Sequence, residues 1–261
     1  MQIDAYHAFT ERLTTNLQAD EHVRGLVLLG STASQGRSPD EWSDHDFFVI
    51  TASGLQEDFR TRFDWLPAPN AIVLTVRETV HGLKVLYADG HLLEYAVLDV
   101  EEIALAKAND YAVAFDRGGV TDAMQKIAPS DPAATSDPQH DMGLFLCLLV
   151  VGVGRVARGE IISGGVFIRT YAVAHLLPLL ATAQGSPLPD NLDPFRRFEQ
   201  TFPDIGVEVN AALSREPIDA ALGLLDVFEH SLQDTSEYPA AGVETVRDTL
   251  MRIEQQRSPS A

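Results

Sequence analysis

Leu29-Gly30-Ser31, then the twelve residues Thr32 to Ser43, then Asp44-His45-Asp46-Phe47-Phe48-Val49-Ile50-Thr51 is the stretch that decides the fold. The second run reads as a β-strand that opens on two acids and continues into apolar, β-favouring residues. Side chains alternate along a strand, so Asp44 and Asp46 share a face and His45 lies on the other, where it is not counted as a ligand. Two neighbouring carboxylates repel, and half-burying them is costly unless a cation neutralises them. Hard divalent ions such as Mg²⁺ take that arrangement of oxygens. Phe47 to Ile50 anchor the strand in a core and leave the acidic pair at its edge. Gly25 to Leu29 reads as an earlier strand that ends on Gly30-Ser31. There a glycine lets backbone approach a phosphate, and the Ser31 hydroxyl and nearby amides can hold it. A short helix starting at Thr32 or Ala33 would add partial positive charge. Trp42, beside the acids, is placed either to stack on a base or sugar or to cap the core.

Working outward, Ile3, Tyr6, Phe9, Leu13 and Leu17 recur at helical spacing before the first strand. Ala71 to Val76 reads as a third strand. Val85 to Ala88 and His91 to Leu98 flank Asp89-Gly90, a two-residue link that signals a hairpin. Within the latter run Glu94 shares its face with Leu92, Ala96 and Leu98, where a lone carboxylate needs a partner or a metal. The alternative is an edge strand with Glu94 turned to water. Asp99 falls at the strand end on the other face and is the weaker candidate. The N-terminal region is thus a helix and about five strands with helical connections.

Residues 128–140 are dense in Pro, Ser, Asp and Ala and read as a linker. It separates a domain over 1–127 from an all-helical domain over 141–261, with helices expected near 141–157, 164–183, 193–202, 205–214, 217–233 and 240–256. Pro178 should kink or end the second of these. The fold class is therefore α+β, a mixed-sheet domain followed by a helical bundle. In the helical half, Glu160 follows Arg155 and Arg158 and is a candidate base or a holder of a cationic acceptor, set against a solvated helix end. Arg155, Arg158, Arg169 and Lys126 are candidate phosphate contacts or simply solvated cations. His175 reads as a core histidine.

The chain has 261 residues, 45% of them apolar and 22% charged, which suits two small globular domains. Its 38 acidic and 19 basic residues give a formal charge of −19. That disfavours binding to long nucleic acid and suits a cationic small molecule. The single cysteine, Cys147, excludes an internal disulfide and sits in an apolar run as an expected buried thiol. The N-terminus lacks a signal-peptide pattern, and the longest apolar stretch, about 142–153, is too short for a bilayer. The expectation is a soluble cytoplasmic protein without a membrane partner.

The hydrophobic-Gly-Ser element, the spacer, Asp44-His45-Asp46-Phe47 and a later Glu94 together resemble the signature of the DNA polymerase β-like nucleotidyltransferase superfamily. His45 replaces the usual hydrophobic residue between the acids. Glu41 to Asp46 is similar to the antibiotic nucleotidyltransferases that modify aminoglycosides or lincosamides, which also carry a C-terminal helical domain. The likeness covers the first hundred residues well and the helical half loosely. It implies transfer of AMP from ATP to a hydroxyl of a small molecule, with release of pyrophosphate. One or two Mg²⁺ ions would be held by Asp44 and Asp46, with Glu94 as third ligand or base. Gly30 and Ser31 would bind the nucleotide, and the helical domain would select the acceptor. Alternatives are a nucleotidyltransferase acting on protein or RNA, or a nucleotide-binding protein without catalysis. An oligomer is compatible with either.

Overall fold

The computed structural model describes residues 1–33, 38–108, 110–127, 137–190 and 192–257. The chain divides into two compact units, Met1–Ser130 and Asp131–Ala261.

The first unit is built on one sheet. Helix α1 (Ile3–Ala19) buries Tyr6, Phe9, Leu13 and Leu17 along one side, the side their spacing marks. Strand β1 (Val23–Leu29) leads into a short 3₁₀ turn, Gly30–Ala33, and then comes β2 (His45–Thr51). After them follow α2 (Gln56–Thr61), β3 (Ile72–Arg77), β4 (Gly82–Tyr87), β5 (Leu92–Leu98), β6 (Tyr111–Asp116) and α3 (Val120–Met124). The strand order is β3-β4-β5-β2-β1-β6. The β2–β5 pairing is parallel and the other pairings described are antiparallel, so the sheet is mixed as expected.

Strand β2 explains its own composition. Phe47 and Val49 enter one core with Phe9, Leu13 and Leu17 of α1, while Phe48 and Ile50 enter a second with Leu98, Ile103, Val120 and Met124. A strand covered on both faces reads as a continuous apolar run rather than an alternating one.

Two expectations need correction here. The sheet has a sixth strand, β6, on the far side of β1. It is a half-exposed edge strand whose apolar run, Tyr111 to Phe115, the sequence reading missed. The hairpin link is longer than two residues. Gly90 donates to the Tyr87 carbonyl and Tyr87 donates to the His91 carbonyl, with Gly90 at φ +85°. That makes a three-residue loop with a glycine bulge.

The second unit is all helix: α4 (Pro138–Ala157), α5 (Ile161–Val166), a π turn over Phe167–Ala172, α6 (Val173–Ala183), α7 (Phe198–Thr201), α8 (Pro203–Leu213), α9 (Pro217–Leu232) and α10 (Ala240–Arg257). Asp137 caps α4 by accepting from the Gln139 and His140 amides. Helix therefore occupies the last three residues of the 128–140 stretch read as a linker, and 128–136 lie outside the described residues. Only Phe198–Thr201 of the helix expected over 193–202 is helical. Pro178 does not end its helix, which runs on to Ala183.

By length and composition Pro138–Ala157 and Ile161–Ala183 could each cross a membrane, so the expected shortness of the apolar stretch is corrected. Both helices also line one core, through Phe145, Leu149 and Val153 of α4 and Leu176, Leu177 and Leu180 of α6. Cys147 points outward and is exposed, contrary to expectation, because it falls off the face that carries Phe145 and Leu149.

Candidate active site

Three carboxylates converge on the face of the sheet that Phe48 and Ile50 share. Asp44 precedes β2, Asp46 is its second residue, and Glu94 stands directly beside Asp46 in the parallel register of β5. One oxygen from each of Asp44, Asp46 and Glu94 lies within 4.8 Å of the others, and all three residues are half-buried. Strand β5 lies between β4 and β2, so the edge-strand alternative for Glu94 is excluded. The donor set is three hard oxygens. Two ligands on one octahedral Mg²⁺ stand about 3 Å apart when adjacent and about 4 Å when opposite, so small carboxylate rotations would close the set around an ion. The residues fit that group.

Glu94 has a second neighbour that the sequence reading missed. Lys84, opposite it on β4, donates from Nζ to Glu94 Oε1 at 2.7 Å and lies 3.2 Å from Glu78 Oε1. These bonds, Glu94 first and then Glu78, hold the ammonium pKa above its ordinary value.

Behind the acidic face the polar residues are buried and paired. The Tyr6 hydroxyl donates to the Asp44 carbonyl at 2.8 Å and lies 2.7 Å from Thr32 Oγ1. Burial first, and the charges of Asp46 and Asp44 with it, raise the Tyr6 pKa. Thr32 Oγ1 also accepts the Asp46 amide at 3.3 Å. His45 is fully buried on the opposite face, stacked on Tyr6 at 3.7 Å between ring centres. Its Nε2 lies 2.9 Å from Thr10 Oγ1 and its Nδ1 2.7 Å from His91 Nε2. Burial pushes the pKa of His45 down to about 3 and that of His91 to about 4, so both are neutral near pH 7. Gly30 adopts φ +52°, donates its amide to the Asp110 carbonyl at 2.9 Å, and has Asp46 Oδ2 as nearest neighbour to where a Cβ would stand. Ser31 is half-buried, its Oγ 3.5 Å from the Tyr6 hydroxyl.

No family model and no curated protein matches the chain. Solved structures do. A crystal structure of an aminoglycoside 6-adenyltransferase from Bacillus subtilis is 14% identical, and the match covers 94% of this chain and 97% of that one at a TM-score of 0.36. A nucleotidyltransferase-like protein from Exiguobacterium sibiricum 255-15 is 12% identical over 94% of this chain and 90% of that one, at a TM-score of 0.31.

The remaining candidates separate cleanly. Trp42 is 85% exposed and caps no core, while its amide donates to Asp40 in a tight turn. Asp99 lies outside the cluster. It accepts from the Glu101 and Glu102 amides and from Gln56, and these bonds, acting against partial burial, lower its pKa. Part of the spacer, 34–37, lies outside the described residues. In the helical unit Glu160 pairs with Arg158 at 3.0 Å, both of them exposed. Arg155 bonds Ser163 and covers the Phe167 ring at 4.0 Å. Arg169 donates to the Leu213 and Arg215 carbonyls, and His175 is half-buried against Asp141 at 2.8 Å. Lys126, at the end of the first unit, is exposed.

The signal for Lys84 lay in the hairpin. It and Glu94 are equally far from Asp89 along the chain, so a loop centred on Asp89 sets them opposite each other. A two-residue loop would have set Lys84 against Tyr95 instead. Tyr6 and His91 carried no signal beyond their apolar and strand contexts.

Proposed function

We propose that this chain is a divalent-cation-dependent nucleotidyltransferase that moves AMP from ATP to a hydroxyl of a small acceptor, with pyrophosphate leaving. The observation that carries the reading is the convergence of Asp44, Asp46 and Glu94 from two strands into one oxygen cluster. Three neighbouring carboxylates repel one another, and a divalent ion between them would relieve that repulsion. One or two Mg²⁺ ions held there would neutralise the triphosphate and the charge that develops as the α-phosphorus changes partners.

The chain's own groups take definite roles. Asp44 and Asp46 hold the ions, and the Tyr6 and Thr32 bonds to the Asp44 and Asp46 backbone fix where those carboxylates start. Gly30 and Ser31 grip the distal phosphates through backbone and hydroxyl. Glu94 takes the acceptor hydroxyl's proton as its oxygen attacks, or completes the ion's ligands; one carboxylate serves both roles in competition. The exposed Trp42 indole is available to stack on the base or sugar. A formal charge of −19 supports a cationic acceptor, a hydroxylated amine such as an aminoglycoside or lincosamide antibiotic, over an RNA.

The test is Mg²⁺-dependent pyrophosphate release from ATP across a panel of hydroxylated amines, with Asp46→Ala alongside. Release with one acceptor, absent from the variant, is the expected result. Equal release by Asp46→Ala would remove the assignment.

A further inference from the structure

Glu94 occupies the middle of a row that crosses three strands. Asp46 on β2 stands on one side of it and Lys84 on β4 on the other, each in direct register. Lys84 and Glu94 are about equally exposed, at 34% and 37% of their side chains, so their 2.7 Å bond is neither sealed from water nor freely solvated. The ammonium also has a second carboxylate within reach. Glu78, just beyond β3, lies 3.2 Å from the same Nζ and is 53% exposed.

A compact ammonium on a flexible stem exchanges partners readily. Held against Glu94, it neutralises that carboxylate. A divalent ion brought to the same carboxylate meets that charge at short range, and two cations on one carboxylate repel. Glu78 gives the ammonium a second position without leaving it unpaired.

We infer that Lys84 is the resident counter-ion of Glu94, which a divalent cation must turn aside toward Glu78 before Glu94 can join the ion's ligands. This deepens the reading above and rests on it. Lys84 is a positioning residue. Its exchange between Glu78 and Glu94 sets how tightly the site takes its ion, and with it the cation concentration at which the site fills.

The experiment is titration of the full chain with Mn²⁺ alone, followed by water-proton relaxation, without nucleotide or acceptor. Lys84→Met, Glu78→Gln, the double variant and Asp46→Asn are titrated in parallel. Lys84→Met should tighten Mn²⁺ binding by roughly tenfold, the effect of removing a unit charge near a dication. Glu78→Gln should weaken it severalfold, and in the Lys84→Met background the same change should have no further effect. That coupling separates exchange from general electrostatics, under which the two changes would add. Unchanged or weaker binding in Lys84→Met, or additive effects, would overturn the inference and leave the enzyme reading standing. Mn²⁺ binding that is absent in both the natural chain and Lys84→Met, or insensitive to Asp46→Asn, would overturn the ion site itself and the inference with it.

Discussion

Asp46 carries both roles a residue can have in this site, since its backbone belongs to the sheet and its carboxylate to the cluster. Asp46→Ala should therefore abolish transfer, by about three orders of magnitude or more for an ion ligand in phosphoryl chemistry. Thermal unfolding of the same variant should stay within a few degrees of the natural chain, because the backbone amide that Thr32 accepts from is retained. A fall of several degrees would make Asp46 a structural residue. His45, one position earlier, acts through burial. Its folded pKa of about 3, like the value of about 4 for His91, lies below that of a free imidazole. Between pH 6.5 and those values the unfolded chain binds more protons, so stability is complete above the window and falls as the pH drops through it. By pH 5 each imidazole should remove about 2 kcal/mol, which melting temperatures across pH 7 to 5 will read and a flat profile would refute. Asp44 and Asp46 were legible in the sequence because strand alternation alone puts them together. Lys84 was not, because its partner depends on one bulged residue in a turn, and the His45–His91 contact depends on a parallel pairing that no local pattern reports.

Among the elements, the helices were legible from periodicity and the two-sided strand β2 from its continuous apolar run, and the exceptions have physical causes. Helix α6 absorbs Pro178 because Leu176, Leu177, Leu179 and Leu180 are buried around it, and packing outweighs one lost backbone bond. Helices α4 and α5 approach at two glycines. A Cβ on Gly164 would stand 2.5 Å from Val156 Cγ2 and 2.6 Å from the Gly152 carbonyl, and one on Gly152 would stand 2.6 Å from Ile168 Cγ1. Gly164→Ala should thus destabilise the helical unit by about 1–3 kcal/mol, visible in its urea midpoint, whereas the helix propensity of alanine alone would raise that midpoint. Sequence marks these glycines as weak helix formers and gives no sign of the neighbour that requires them.

Across the whole molecule, each unit has its own core, and the division near residue 130 follows the change from strand to helix periodicity. A formal charge of −19 makes the chain self-repelling, so added salt should raise its melting temperature at neutral pH. Mg²⁺ should raise it further than an equal ionic strength of Na⁺, by the mass action of a ligand that binds the folded state, and equal shifts would point to screening alone. The β2–β5 seam has one more consequence. Strands β3, β4 and β5 follow one another as a meander, while β2 pairs with β1, and the parallel seam joins these two blocks across a long intervening stretch of chain. A slip of two residues at that seam would keep every apolar side chain on its proper face and yet carry Glu94 about 7 Å along from Asp46. Hydrophobic patterning is blind to that error, whereas an ion that needs both carboxylates binds the correctly assembled sheet and not the slipped one. A cation bound there would therefore check the register of the fold as well as serve the proposed chemistry.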